Sequence, residues 1–125
     1  LLLFSGCKDD TLGIGYLVLE KRELLLKSDA TPYEVGVKGG WWIESVEIDG
    51  EQYKNTLREI AGPTSGINIP HDTLTADWIE VYRLDNGKKI KVAPQPNTTG
   101  AERSALIVLN GGNVMAGLTV IQPAK

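Results

Sequence analysis

From Tyr16 onward the apolar residues come in short runs, and several of those runs alternate with polar positions. Tyr33, Val35 and Val37 are separated by Glu34 and Gly36, the period of two that turns one side of a strand into a core and the other toward water. Tyr16-Leu17-Val18-Leu19 and Leu24-Leu25-Leu26 are shorter runs split by Glu20-Lys21-Arg22-Glu23, and they read as strands, with a helix as the rival assignment. Trp41 to Ile48 predicts a further strand. Simple alternation there puts Trp42, Val46 and Ile48 on the core face and Trp41, Ser45 and Glu47 on the other. Trp78 to Leu84, Lys88 to Ala93, Ser104 to Leu109 and Val114 to Gln122 complete the set. Ser104 to Leu109 is apolar on both faces, as a central strand would be.

The punctuation agrees with this reading. Asp49-Gly50 and Asn86-Gly87 are two-residue hairpin signals, and Asn110-Gly111-Gly112-Asn113 marks another reversal. Between Lys54 and Asp77 the alternation stops and Gly62-Pro63, Gly66 and Pro70 break any regular element, which predicts one long irregular segment, either a binding loop or a crossing between sheets. Seven to eight short strands with turns at regular spacing and no long helix predict an all-β fold, an immunoglobulin-like β-sandwich.

Length and charge narrow the function classes. The chain has 125 residues and a net charge of −3, enough for one domain with a modest core and without the basic stripe that nucleic acid would require. No apolar run reaches the roughly 20 residues of a membrane-spanning helix. The start of the chain carries a different signal. Leu1 to Phe4, then small Ser5 and Gly6 before the single cysteine Cys7, read as the tail of a signal peptide and a lipobox, so that Cys7 is the expected site of lipid attachment. Phe4 stands where such a motif usually has Leu, and the positively charged beginning of a signal peptide is missing, so the numbered chain is expected to begin partway into a precursor. Lys8-Asp9-Asp10 resembles the surface-export signal of Bacteroidetes lipoproteins, which implies the outer face of the outer membrane. The expected organisation is therefore a signal remnant and lipobox over residues 1–7, a tether over 8–15 and a sandwich domain over 16–125. A lone cysteine also leaves no internal disulfide to form.

Several stretches in the domain resemble one family. Trp41-Trp42-Ile43 after a glycine pair, Asp77-Trp78-Ile79, Pro96-Asn97-Thr98-Thr99-Gly100-Ala101-Glu102-Arg103 and the closing Leu118-Thr119-Val120-Ile121-Gln122 are similar to the BACON domain, a Bacteroidetes-associated β-sandwich proposed to bind carbohydrate. The resemblance spans most of the chain from about Leu24 and implies a glycan-binding or adhesion role. The same residues have a structural reading: Asn97 caps a turn, Gly100 takes positive φ, and Arg103 bridges to a carboxylate on a neighbouring strand.

Sugar recognition needs flat aromatic faces with amides and carboxylates beside them. The candidates are Trp41, Tyr53, Trp78 and Tyr82, with Trp42 assigned to the core. Catalysis has little to build on, since His71 is the one histidine, no nucleophile accompanies it, and no pair of carboxylates is marked as a glycosidase dyad. No metal or other cofactor is expected. Asp10-Thr11-Leu12 and Asp72-Thr73-Leu74 resemble an O-glycosylation motif of exported Bacteroidetes proteins, marking Thr11 and Thr73 in segments expected to be irregular. The chain thus reads as a non-enzymatic, surface-exposed lipoprotein that contacts glycan. The alternative is a spacer or assembly subunit that contacts other surface proteins.

Overall fold

The computed structural model describes residues 16–54 and 72–125. Cys7, Lys8, Asp9, Asp10, Thr11 and His71 lie outside the described residues. Two five-stranded sheets pack face to face, which is the expected all-β sandwich. The strands are β1 (Val18–Leu19), β2 (Glu23–Leu25), β3 (Tyr33–Lys38), β4 (Trp42–Ile48), β5 (Glu51–Lys54), β6 (Thr73–Ala76), β7 (Ile79–Leu84), β8 (Lys89–Pro94), β9 (Arg103–Asn110) and β10 (Met115–Gln122). The first sheet runs β1-β3-β8-β7-β6 and the second β2-β10-β9-β4-β5.

Among the described residues all pairings are antiparallel except β2 with β10, where Glu23, Leu24 and Leu25 run parallel to Thr119, Val120 and Ile121. The first two strands are one edge segment that changes sheets: Val18 and Leu19 pair with β3, and after Glu20 to Arg22 the chain joins β10. This divided edge explains why the charged Glu20-Lys21-Arg22-Glu23 interrupts the apolar runs. No helix is needed to account for it.

β5 and β6 extend the expected set. They are the last strands in the order of their sheets, β5 with little apolar patterning and β6 with a short alternation in which Leu74 and Ala76 are buried between Thr73 and Thr75. Thr73 accordingly sits in strand β6, not in an irregular segment. Asp49 (φ 51°) and Gly50 (φ 82°) form the expected two-residue hairpin between Ile48 and Glu51. The β7–β8 reversal is longer than a two-residue hairpin. Leu84 pairs with Lys89, and Asp85, Asn86 and Gly87 all take positive φ between them.

The core is aliphatic and drawn from both sheets. Val35, Val37, Ile79, Val81, Ile90 and Val92 face Ile43, Val46, Ile107, Leu109, Leu118 and Val120, all fully or nearly fully buried. Branched side chains on two facing pleated surfaces bury apolar area at about 25 cal/mol per Å², which is the main favourable term for a domain of this size. Two tryptophans close the sandwich at opposite ends of β7. Trp78 lies in the turn just before it, and Trp41 reaches the reversal just after it, its indole N–H donating to the Gly87 carbonyl at 2.7 Å. An arginine covers each ring, Arg83 at 5.5 Å from the Trp41 centroid and Arg103 at 4.4 Å from that of Trp78.

Candidate functional site

The tryptophan pair at the start of β4 sits the other way round from simple alternation. Trp41 is 4% exposed and Trp42 is 37% exposed. The cause is a bulge between Ile43 and Ser45, where the register against β9 shifts. One extra residue, Glu44, reverses the phase, so Trp41 and Ile43 point inward before it while Val46 and Ile48 point inward after it, and Ser45, opposite Val108, is buried at the bulge itself. Trp41 is therefore a core residue, and Trp42 is the one on the surface. Trp78, also 4% exposed, is a core residue too, held under Arg103. Neither buried indole can serve as an open platform for a sugar.

Tyr53 and Tyr82 occupy different places. Tyr53 lies opposite Val46 on the edge strand β5 and packs against the margin of the core. Partial burial, then the nearby Glu51, Asp77 and Asp49, raise its phenol above the ordinary value. Tyr82 is on the outer face of the first sheet, where its hydroxyl donates to Glu80 and the Lys91 ammonium stands 5.4 Å from the ring centroid. That hydrogen bond is the main cause of its raised phenol pKa. The four candidates are thus spread over two ends, one edge and one face, and form no common site.

The residue that alternation alone does not mark is Trp42. It stands on the outer face of the second sheet opposite Asn110, which in turn pairs with Met115, itself 55% exposed. The Trp42 indole N–H donates to Glu44 Oε1 at 3.3 Å, and Asn110 Nδ2 donates to the same oxygen at 3.0 Å. Asn110 Oδ1 accepts the Gly112 N–H at 2.7 Å, so the turn after β9 fixes the amide. A ring, a carboxylate and an amide are thereby oriented together on a rigid sheet. The ring offers a stacking surface for C–H groups, while the carboxylate and amide can exchange hydrogen bonds with hydroxyls. A signal for this was present: Ile43 and Val46 are three apart, a spacing that a regular strand cannot put on one face.

The Asn-Thr-Thr-Gly stretch is structural. Asn97 is fully buried, its Oδ1 accepting from the Thr99 N–H (3.0 Å) and hydroxyl (2.7 Å) and its Nδ2 donating to Ala101 O (2.8 Å) and Pro123 O (3.0 Å). Gly100 has φ 83°, as expected for that turn. Arg103 differs from expectation. It binds the Gln122 side-chain oxygen at 2.8 Å and the carbonyls of Gln95 (3.1 Å) and Pro96 (3.2 Å), not a carboxylate. Neutral acceptors suffice because the cation also lies on the Trp78 ring, and its burial lowers its pKa.

Among the described residues no group of three or more His, Cys, Asp or Glu is placed to hold a metal ion, and no helix is long and apolar enough to cross a membrane. No protein-family profile matches the chain, and no curated protein matches it. Its architecture is similar to that of a protein from Bacteroides thetaiotaomicron solved by NMR, with a TM-score of 0.61 and 24% identity over 83% of this chain and 77% of that one. It is also similar to part of an endo-fucoidan hydrolase of glycoside hydrolase family 107, with a TM-score of 0.53 and 15% identity. That match covers 91% of this chain but 14% of the hydrolase. At these identities the likeness concerns the fold.

Proposed function

We propose that the chain is a non-catalytic glycan-binding module of BACON-like type, carried as a lipoprotein on the outer face of the outer membrane. The observation that carries the binding role is the Trp42 cluster: an exposed indole with Glu44 and Asn110 locked beside it on a rigid sheet face. The address rests on Ser5-Gly6-Cys7 and Lys8-Asp9-Asp10. Screening the chain from Gly13 onward on a glycan array tests the binding role. Trp42→Ala abolishes binding or weakens it at least about tenfold, the loss of one stacking contact, whereas Trp41→Phe, a change inside the core, leaves specificity intact. Binding unaffected by Trp42→Ala refutes the site. For the address, Cys7→Ala releases the protein from the membrane fraction, and protease added to intact cells cleaves the native form.

One observation favours a second reading, an assembly subunit that contacts protein. The same sheet face carries Leu106, Val108 and Ile121, all partly exposed, and Leu25 at 67% exposure. A flat aliphatic surface offers little to sugar hydroxyls and much to another protein. Binding to no glycan, together with a bound surface protein lost on Leu25→Asp, supports that reading.

A further inference from the structure

On the other sheet, away from Trp42, the edge strand β1, the end of β3 and the β7–β8 reversal enclose a groove of about 1000 Å³. That is at the upper end of the range for small-ligand sites. It is lined by Tyr16 and Val18, both exposed, by Leu19 and Val37 of the core margin, and by Asn86 and two lysines, Lys38 and Lys88. Glu20 also lines it, but its carboxylate is turned onto the strand and accepts the Gly36 N–H at 2.8 Å. Gly36 makes this approach close, since a Cβ there would stand 3.3 Å from that same oxygen.

Neither Lys38 nor Lys88 forms an ion pair among the described residues, whereas their neighbour Lys89 is held by Glu34 at 3.4 Å and Asp85 at 3.7 Å. Both lysines are exposed and both line the groove, Lys38 from the end of β3 and Lys88 from just after the β7–β8 reversal, where its carbonyl accepts the Val37 N–H. The rim is also built to stay in place. Trp41 holds the Gly87 carbonyl from inside, and Gly39, at φ 112°, lets the chain pass so near Tyr16 that a Cβ would collide with its carbonyl at 2.0 Å.

We infer that this groove is a second saccharide site selective for anionic sugars, those bearing a carboxylate or a sulfate. The lysines take the anion, the Asn86 amide takes hydroxyls, and Tyr16 with Val18 takes the apolar ring face. The inference rests on the glycan-binding reading for the word saccharide, and on the groove alone for the charge.

The test is calorimetric titration of the chain carrying Cys7→Ala with three probes of matched size: an oligouronate, a sulfated dextran oligosaccharide and neutral dextran. At least one acidic probe binds more tightly than dextran, weakens as salt rises from 50 to about 500 mM, and weakens about tenfold or more in Lys38→Ala/Lys88→Ala. The Lys89→Ala control leaves binding near that of the parent, and Lys38→Arg/Lys88→Arg restores it. The uronate and sulfate arms identify which anion the site prefers. Equal loss in Lys89→Ala, or no preference for acidic probes, overturns the inference. Acidic binding that is lost in Trp42→Ala but not in the lysine variants overturns the groove and leaves the glycan reading standing. No binding to any saccharide, array or probe, removes both.

Discussion

Gln122→Leu is the change that best tests how the end of the sandwich is held. Gln122 is fully buried, and its Nε2 donates to the carbonyls of Lys27 (3.1 Å), Asp29 (3.3 Å) and Gln95 (2.8 Å), while its Oε1 accepts from Arg103 Nε. Leucine fills nearly the same volume, so no cavity opens and the cost is one of hydrogen bonding. Gln95 O keeps Arg103 Nη2 at 3.1 Å. Lys27 O, Asp29 O and the Arg103 Nε–H lose this partner, and each such buried group costs about 1–3 kcal/mol, less where water can reach it. Water reaches the backbone of the exposed Lys27 and Asp29 most easily, and the added apolar burial returns about 1 kcal/mol. The expected net loss is about 2–4 kcal/mol. For a domain near 100 residues that lowers Tm by roughly 8–16 °C. Urea unfolding followed by near-UV circular dichroism should give a lower midpoint with an unchanged m-value. A loss below about 1 kcal/mol would show that the carbonyls do not depend on this amide and that the network is incidental.

Other outcomes follow from single contacts. Ser45 is fully buried at the bulge, its Oγ without a hydrogen-bond partner, so Ser45→Ala should raise stability by up to about 1 kcal/mol in the same unfolding assay. Trp41→Phe removes the donor to Gly87 O and part of the surface under Arg83, and should cost about 1–3 kcal/mol, read as an earlier thermal transition. The phenols of Tyr53 and Tyr82 are raised above 10.0, so the folded state keeps their protons longer than the unfolded state does. Their contribution is fully present below about pH 10 and is lost as pH rises through the folded-state values. Absorbance at 295 nm should show late titration of these rings, and Tyr82→Phe should flatten the decline of stability in alkali.

The fold was legible where local chemistry and tertiary demand coincide. Tyr33, Val35 and Val37 alternate because one side of β3 is core, and Asp49-Gly50 turns the chain because both positions need positive φ. Legibility failed at edges and at the bulge. Glu51-Gln52-Tyr53-Lys54 is a strand by virtue of its neighbour's hydrogen bonds, with few apolar residues to betray it, and the alternation of Thr73-Leu74-Thr75-Ala76 is only four residues long. Simple alternation puts Trp41 and Trp42 on the wrong faces because a single inserted residue, Glu44, inverts every side chain before it. The Asn97 turn was readable from its own side chain, whereas the partner of Arg103 lies on β10 and depends on how two distant segments meet. The groove at Lys38 and Lys88 joins three separate elements and left no mark in any one of them.

The divided first strand has a mechanical consequence. β2 and β10 are the parallel pair of the second sheet, and they lie near the two ends of the domain. Tension applied between Tyr16 and Pro123 would pull these strands along their length in opposite directions, so the bonds Thr119 N to Arg22 O and Leu26 N to Ile121 O would be loaded together in shear. A hairpin pulled from its open end gives way one bond at a time. This pair has to give way all at once, and β1, clipped to the other sheet by Glu20 N and Gly36 O, adds a second catch in series.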